Sequence, residues 1–266
     1  MSKNRIITLL TDFGLSDVYV GVMKGAIAQI NPQLKVIDIT HQIPSQNIAA
    51  ARFCLMTAFA YFPPETVHIA VVDPGVGSKR RPVAIKCANC WLVGPDNGLF
   101  SGVLSRESAR SSVELTNPKY WRTSQPSSTF HGRDIFAAAG AYLANGVALE
   151  ELGECIDPAS LVQLEIPNCA VTAAGIEGCV QYVDRFGNLI TNIPNNCITG
   201  NNWSVTISNS SDAIRIPSGK TYSDSQPGDL IAITGSDGWV EIAVNGGSAQ
   251  SVLQLQFGDR VEVIHR

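Results

Sequence analysis

The sequence predicts two folds in series: an α/β body over residues 1–168, with a largely parallel sheet flanked by helices, and a smaller all-β, barrel-like body over residues 169–266. Three observations predict this. In the first part, β-rich runs alternate with apolar residues at helical spacing, the signature of parallel strands joined by crossover helices. Beyond Asn168 the apolar runs become short and alternating, separated by Gly, Asn, Asp and Ser, as in an antiparallel barrel or sandwich. Charge divides at the same place, with 14 basic and 14 acidic residues up to Cys169 but five basic and nine acidic after it.

Residues 5–10 read as the first strand, and residues 17–30 as a helix with apolar side chains at Val18, Val22, Ala26 and Ile30 and Ser16 as its expected N-cap. A strand over 35–40 and an apolar helix over 45–62, stopped by Pro63 and Pro64, lead to a third strand over 66–72. Strands over 82–86 and 91–93, a short helix over 98–104 and a long helix over 130–145, ending before Gly146, complete the first body. In the second, alternating runs at 179–183, 189–193, 203–207, 230–234, 239–244 and 260–264 read as strands. No repeat of solenoid period is present.

Composition narrows the function. The 266 residues are 45% hydrophobic, enough for a substantial core, and 19 Lys plus Arg against 23 Asp plus Glu leave a net charge of −4. No dense basic cluster follows an aromatic series, which argues against nucleic acid as a partner. The apolar stretches at 48–62 and 135–149 carry Arg52, Thr57 and Asn145 and fall short of a membrane span. After Met1 the run SKNRIITLL has too short an apolar region, and no small-residue cleavage site, for a signal peptide, so a cytoplasmic location is expected. Seven cysteines, an odd number and scattered, fit reduced thiols. Cys87 and Cys90 form a lone CxxC without the second pair of a structural zinc site, and a turn between two strands is the expected reading. No metal cluster is apparent.

In a parallel α/β sheet the ligand crevice lies beyond the carboxyl ends of the strands, so polar residues that follow apolar runs are the first candidates. Asp12 and Asp17 flank a turn into a helix; Asp12 could otherwise close an Asx turn and Asp17 favour a helix N-terminus. Asp73 ends the run at 69–72 and precedes Gly75, Gly77, Lys79, Arg80 and Arg81. One GxG without a third glycine opening a helix makes a poor phosphate cradle. A carboxylate with arginines close by suggests a charge-paired site, with solvated arginines as the rival reading for Lys79 and Arg81. His131, next to Gly132 at the start of the long helix, is the histidine best placed for close substrate approach, though a cap or packing residue could stand there too. In the second body, residues 182–192 form a hairpin whose tip carries Asp184, Phe186, Gly187 and Asn188. Turns favour Asp, Gly and Asn, but an aromatic beside amides also suits stacking on a purine. Residues 236–239 form a further hairpin tip, taken alone only a turn.

Read together and in order, these blocks resemble the S-adenosyl-L-methionine hydrolases, or SAM hydroxide adenosyltransferases, whose relatives include the fluorinases and chlorinases. The matching segments are TDFGLSDVYVGVMKGAI (11–27), VVDPGVGSKRRPVAI (71–85), GPDNGLF (94–100), FHGRDIFAAAGAYLANG (130–146) and VDRFGNLITNI (183–193). The resemblance implies an α/β domain followed by a β-barrel-like domain, and a homotrimer with active sites between one subunit's first domain and its neighbour's second. It also implies a reaction in which water attacks the ribose 5′ carbon of S-adenosylmethionine to give adenosine and L-methionine, with no cofactor and no metal. The Asp, Arg, His set of the hydrolases falls on Asp73, Arg80 and His131. Asp12 resembles the carboxylate that accepts from the ribose hydroxyls, Asp17 and Asp184 those near the methionine ammonium, and Asn188 the adenine reader. Ser236 matches a serine near the methionine carboxylate, but the accompanying arginine of the fluorinases is Asp237 here. Halogenating relatives have Tyr, Thr and Ser at the positions of Asp73, Val76 and Gly132. A carboxylate would repel a halide, so hydrolysis is expected over halogenation. A non-catalytic adenosine or S-adenosylmethionine sensor is the alternative, and methyl transfer, for which no acceptor site is apparent, ranks last.

Overall fold

The structure, a computed structural model, describes residues 5–173, 175–200, 202–208 and 213–265. The chain divides into two compact units, Met1–Leu164 and Glu165–Arg266.

The first unit contains β1 (Ile7–Thr11), α1 (Tyr19–Ile30), β2 (Val36–Thr40), α2 (Ile48–Ala58), β3 (Thr66–Val71), β4 (Pro82–Lys86), β5 (Cys90–Pro95), α3 (Ser101–Leu104), β6 (Ser111–Glu114), α4 (Ala137–Ala144) and β7 (Glu154–Ile156). One seven-stranded sheet runs in the order β2-β1-β3-β5-β4-β6-β7. Strands β2, β1, β3 and β5 are mutually parallel, and β4, β6 and β7 continue the sheet in antiparallel pairing. Local connections decide which is which. Cys87 and Cys90 flank a two-residue turn, closed by Cys87 N–H donating to the Cys90 carbonyl at 2.9 Å, so β4 and β5 can only be antiparallel. The parallel strands need helical crossovers.

Every residue of β1 and β3 is buried, as expected of central strands covered on both faces. Ile7, Leu9, Val67 and Ile69 share a core with Met23 and Ile27 of α1 and Leu143 of α4. α4 packs closely on β3, where a Cβ on Gly140 would lie 2.4 Å from Ile69 Cδ1. By strand alternation Thr8, Leu10, His68 and Ala70 face the other side, where α2 packs on β1.

Three helix boundaries differ from the sequence reading. α1 starts at Tyr19 after Val18, without a side-chain cap. Ser16 lies two residues before the N-cap position, which Val18 occupies. The helix expected over 45–62 starts at Ile48, where the Asn47 side chain accepts from Ala50 N–H, and tightens to a 3₁₀ turn at Phe59–Tyr61 before the prolines. The helix expected over 130–145 opens as a π-helical turn, Gly132–Phe136, and becomes α-helical only in α4. Strands β6 and β7 were not expected, being short and rich in Ser and Glu.

The second unit comprises β8 (Ala170–Val171), β9 (Ile176–Val183), β10 (Leu189–Pro194), β11 (Trp203–Ser208), β12 (Ala213–Pro217), β13 (Leu230–Thr234), β14 (Trp239–Val244), α5 (Ala249–Leu253) and β15 (Arg260–His265). The order β12-β11-β15-β9-β10-β14-β13 is antiparallel throughout, with β8 added to β9. A bridge from Ser218 to Ala232 brings the two end strands together and nearly closes a barrel. Val180, Leu189, Val205, Ile216, Val240 and Val263 fill its core. Among the described residues, no helix of either unit is long and apolar enough to cross a membrane.

Candidate active site

Strands β1 and β3 are neighbours, with Thr11 opposite Val71. From β1 the chain crosses through α1 to β2 on one side, and α2 then returns it to β3 on the other side. This reversal is a topological switch point, which opens a crevice beyond the carboxyl ends of the two strands. Asp12 and Asp73 are the residues just past those ends. A cleft of about 610 Å³ lies there, walled by Asp12, Phe13, Asp73, Phe130, His131 and Gly132 among others. Its apolar side is an aromatic cluster in which Phe13, Tyr19 and Phe130 meet edge to face at 5.3–5.9 Å.

Asp73 and His131 line this cleft, and Arg80, outside its lining, joins the two. Arg80 Nε donates to both oxygens of Asp73, at 2.9 and 3.0 Å, and Arg80 Nη2 also pairs with Asp73 Oδ2. The same Nη2 lies 2.9 Å from His131 Nδ1. Both charged side chains are almost entirely withdrawn from solvent, 9% and 6% exposed, so their charges act on one another with little screening. A guanidinium has no acceptor, so His131 Nδ1 must accept, which places the proton of the neutral ring on Nε2. Burial lowers the His131 pKa and the Arg80 charge lowers it further, against the opposing carboxylates of Asp73 and Asp134. The ring is therefore held neutral. Arg80 also lies over the Phe136 ring at 5.2 Å.

Gly77 permits this convergence. Its φ is +76°, and a Cβ there would sit 2.5 Å from the Ser128 carbonyl oxygen, so the 73–80 loop can lie against the segment leading to His131 only with glycine at this position.

That segment is fixed from beneath by Asp134, which is 1% exposed. Asp134 accepts from Arg122 Nε at 2.6 Å, Arg133 Nε and Nη2 at 2.7 Å each, and Ser127 N–H at 3.0 Å. Burial opposes its ionisation, but the bonds from Arg133, the Ser127 amide and Arg122 hold its pKa well below the usual carboxylate range.

Arg81, Asp12 and two further histidines, His68 and His41, make other contacts. Asp17 is exposed in the bend before α1 and outside the cleft walls. Arg81 turns away to pair with Asp96, its Nη2 2.6 Å from Oδ2, and to donate to the Ser160 carbonyl. His68 is buried against Thr8, with Nδ1 2.7 Å from its hydroxyl. His41 Nδ1 lies 2.8 Å from the Thr11 hydroxyl. Asp12 uses one oxygen to accept from Gln46 N–H at 2.7 Å, which ties the end of β1 to the turn before α2.

In the second unit, the β9–β10 hairpin carries Asp184, Phe186 and Asn188 at its tip. Asp184 accepts from Phe186 N–H and Asn188 N–H, both at 2.8 Å, and from the Asn188 side-chain amide at 2.9 Å. These bonds stiffen the tip and leave Phe186 77% exposed. Ser236 is exposed in the β13–β14 hairpin. Below these turns, buried Glu241 accepts from Tyr222 OH at 2.8 Å. Burial raises the Glu241 pKa, and so do the charges of Asp184 and Asp237. Burial, the bond to Glu241 and the same carboxylates push Tyr222 up to about 12.

Both units match models of one family: the SAM hydroxide adenosyltransferase N-terminal domain over residues 7–153 and its C-terminal domain over residues 178–262. The chain belongs to the SAM hydroxide adenosyltransferase family. It is 38% identical, over 99% of both chains, to a protein of Salinispora tropica named (R)-S-adenosyl-L-methionine hydrolase. It is 24% identical to a fluorinase of Actinoplanes sp., over 98% of this chain and 97% of the relative. A solved structure of an uncharacterised conserved protein from Thermotoga maritima superimposes with a TM-score of 0.89 at 36% identity, covering 97% of this chain and 99% of that one. Within this SAM hydroxide adenosyltransferase, Asp12, Asp73, Arg80 and His131 fall in the region matched by the N-terminal model, and Asp184, Asn188 and Ser236 in that matched by the C-terminal model.

Sequence reasoning missed Arg122, Asp134, Tyr222 and Glu241. The pairing of Arg122 with Asp134 spans twelve residues of irregular chain and leaves no periodic trace. Glu241 had one visible signal, a carboxylate inside the apolar strand run at 239–244.

Proposed function

We propose that this protein hydrolyses S-adenosyl-L-methionine to adenosine and L-methionine. The observation that carries the reading is the Arg80 side chain, clamped on Asp73 and donating to His131 Nδ1, two residues that both line the cleft. A sulfonium leaves as a neutral thioether and needs no proton, so the protein's task is to align a water with the ribose C5′ and to take its proton. The new bond joins the water oxygen to C5′, and the C5′–S bond breaks with its electron pair going to sulfur. His131 presents an Nε2–H and acts as a donor that orients the water; its Nδ1 is already engaged. The proton goes to the Asp73 carboxylate, which Arg80 holds in place.

The remaining assignments follow the family resemblance. Asp12, with one oxygen free of the Gln46 amide, takes the ribose hydroxyls. Asp17 and Asp184 serve the methionine ammonium, Asn188 and Phe186 the adenine, and Ser236 the methionine carboxylate. The carboxylates of Asp184, Asp237 and Glu241 give the second unit the negative potential that a cationic amine and sulfonium call for. A homotrimer, in which one copy's first unit and its neighbour's second complete each site, would supply these groups to the cleft. No cofactor is needed. Seven cysteines without a disulfide among them suit the cytoplasm.

Incubation of the purified protein with S-adenosylmethionine, followed by chromatography, tests the proposal. Equimolar adenosine and methionine are expected. Tight binding without products would make the protein a sensor, and S-adenosylhomocysteine would make it a methyltransferase; either sinks the hydrolytic reading. Asp73→Asn should abolish adenosine release with a much weaker effect on affinity for S-adenosylmethionine.

A further inference from the structure

Among the described residues, three other than glycine have a positive φ: Gln46 at +64°, Glu65 at +67° and Gln254 at +56°. A left-handed backbone is strained in any residue with a Cβ and persists only where its surroundings impose it. Two of the three are accounted for locally. Gln254 ends α5, its N–H donating to the Gln250 carbonyl at 2.8 Å. Glu65 leads into β3, and its carboxylate accepts from Arg5 and from the Trp91 indole. Gln46 differs, because it lines the cleft and its exposed side chain has no hydrogen-bond partner among the described residues. We infer that the Gln46 side-chain amide is a specificity-determining group of the cleft, which works with Asp12 to bind the vicinal diol of a ribose.

The main chain of Gln46 is fixed on both sides. Its N–H donates to Asp12 Oδ2 at 2.7 Å, and its carbonyl accepts from Ile48 N–H at 3.1 Å where α2 begins. Asn47, next in the chain, caps α2 through its side chain. The turn thus holds Gln46 against the Asp12 carboxylate, whose Oδ1 has no partner among the described residues. Glycine would make the same backbone bond without strain, so the Gln46 side chain is the part that the fold does not use. Its chemistry complements that of Asp12. An ionised carboxylate only accepts; it can take the hydrogens of a diol but leaves the hydroxyl oxygens without a donor. The glutamine NH₂ group supplies two donors on the same wall of the cleft. Being neutral, it does not form an ion pair with Asp12 that would compete with the diol, as a lysine or arginine there would. The inference rests on the reading that the cleft takes the adenosyl group of S-adenosylmethionine, and adds the group that tells ribose from its deoxy forms.

Calorimetric titration of the full chain with adenosine, 2′-deoxyadenosine and 3′-deoxyadenosine tests this. Adenosine should bind saturably, and more tightly than at least one of the deoxynucleosides. Gln46→Gly suits φ +64° and keeps the N–H that binds Asp12, so it removes the amide alone. It should weaken adenosine binding about threefold to tenfold and shrink, by a similar factor, the penalty for losing one of the two hydroxyls. A residue that only shaped the turn would leave that penalty unchanged. Gln46→Glu keeps the length, loses the donors and sets a second carboxylate beside Asp12, so it should weaken adenosine at least as much. Adenosine bound equally well by Gln46→Gly, or unaltered penalties for both deoxynucleosides, overturns the inference. So does equal binding of all three nucleosides, or no saturable adenosine binding, by the unaltered protein. Cleavage of S-adenosylmethionine is measured separately. Cleavage by the unaltered protein with diol selectivity intact in Gln46→Gly sinks this inference alone. Diol selectivity that depends on Gln46, without cleavage, sinks the hydrolytic reading alone.

Discussion

Arg80 Nη2 donates to His131 Nδ1 across 2.9 Å while its Nε holds the Asp73 carboxylate, so one guanidinium fixes the position of an acid and the tautomer of an imidazole. The arrangement requires a neutral His131. Protonation would set an N–H against the Arg80 donor.

A pH dependence follows. Because burial and then Arg80 lower the His131 pKa, the ring stays neutral above its ordinary value near 6.5 and for some distance below it. Activity should therefore persist through pH 6.5 and fall on the acid side of it. Arg80→Gln removes the nearby cation and should move the His131 titration to higher pH, as read from its ring signals by NMR. A titration at or above pH 6.5 in the unaltered protein would contradict the geometry. Arg80→Lys keeps the charge but cannot hold the Asp73 oxygens and Nδ1 together, so kcat should fall by about 10²–10⁴ with a smaller change in KM.

A second histidine governs stability rather than chemistry. His68 is buried on β3 beside the Thr8 hydroxyl, and burial pushes its pKa down to about 4. The unfolded chain takes up this proton below about pH 6.5, whereas the folded chain resists until about pH 4, so stability from this group is full above 6.5 and is lost as pH falls between those values. The loss amounts to about 3 kcal/mol at the acid end. Denaturant midpoints followed from pH 7 to pH 4 should show it. His68→Phe should flatten the profile over that window, whatever it does to stability at pH 7.

Gly77→Ala tests the packing of two loops. The substitution strains a backbone at φ +76° and drives a methyl to 2.5 Å from the Ser128 carbonyl. A thermal midpoint lowered by a loss of about 1–3 kcal/mol is expected. Adenosine release should fall further than stability alone explains, because the displaced loop carries Asp73 and Arg80 away from His131. Full activity in a folded Gly77→Ala protein would show that the close approach is not needed.

The sequence exposed the parts of this molecule that follow local rules. β1 and β3 were legible as apolar runs, and Asp12 and Asp73 as the residues just beyond them, because strand ends are where an α/β sheet opens. The two-residue turn at Cys87–Cys90 was legible for the same reason. Strand β7 was not, since Glu154–Ile156 is too short to carry a pattern and exists only because β6 offers it an edge. The π-helical turn at Gly132–Phe136 was hidden inside a run that reads as continuous helix. That Arg80 rather than Arg81 faces Asp73 depends on where Asp96 and Ser160 lie, which residue spacing does not encode.

The last prediction concerns how His131 is held. Asp134 is buried, does not itself line the cleft and accepts from two guanidiniums and a backbone amide, so its role is to position the segment that carries His131. Asp134→Asn keeps the shape but removes the charge that Arg122 and Arg133 share. Both guanidiniums reach solvent, 38% and 31% exposed, which moderates the cost of leaving them unpaired to about 2–4 kcal/mol. If Asp134 only stabilised the fold, the surviving folded fraction would work at the normal rate. If it positions His131, kcat per folded molecule should fall about tenfold or more while affinity for S-adenosylmethionine changes little, and the His131 ring titration should shift. Asp134→Glu, which restores the charge on a longer stem, should recover stability more fully than kcat. Normal kcat in folded Asp134→Asn protein would reduce the residue to a structural ion pair.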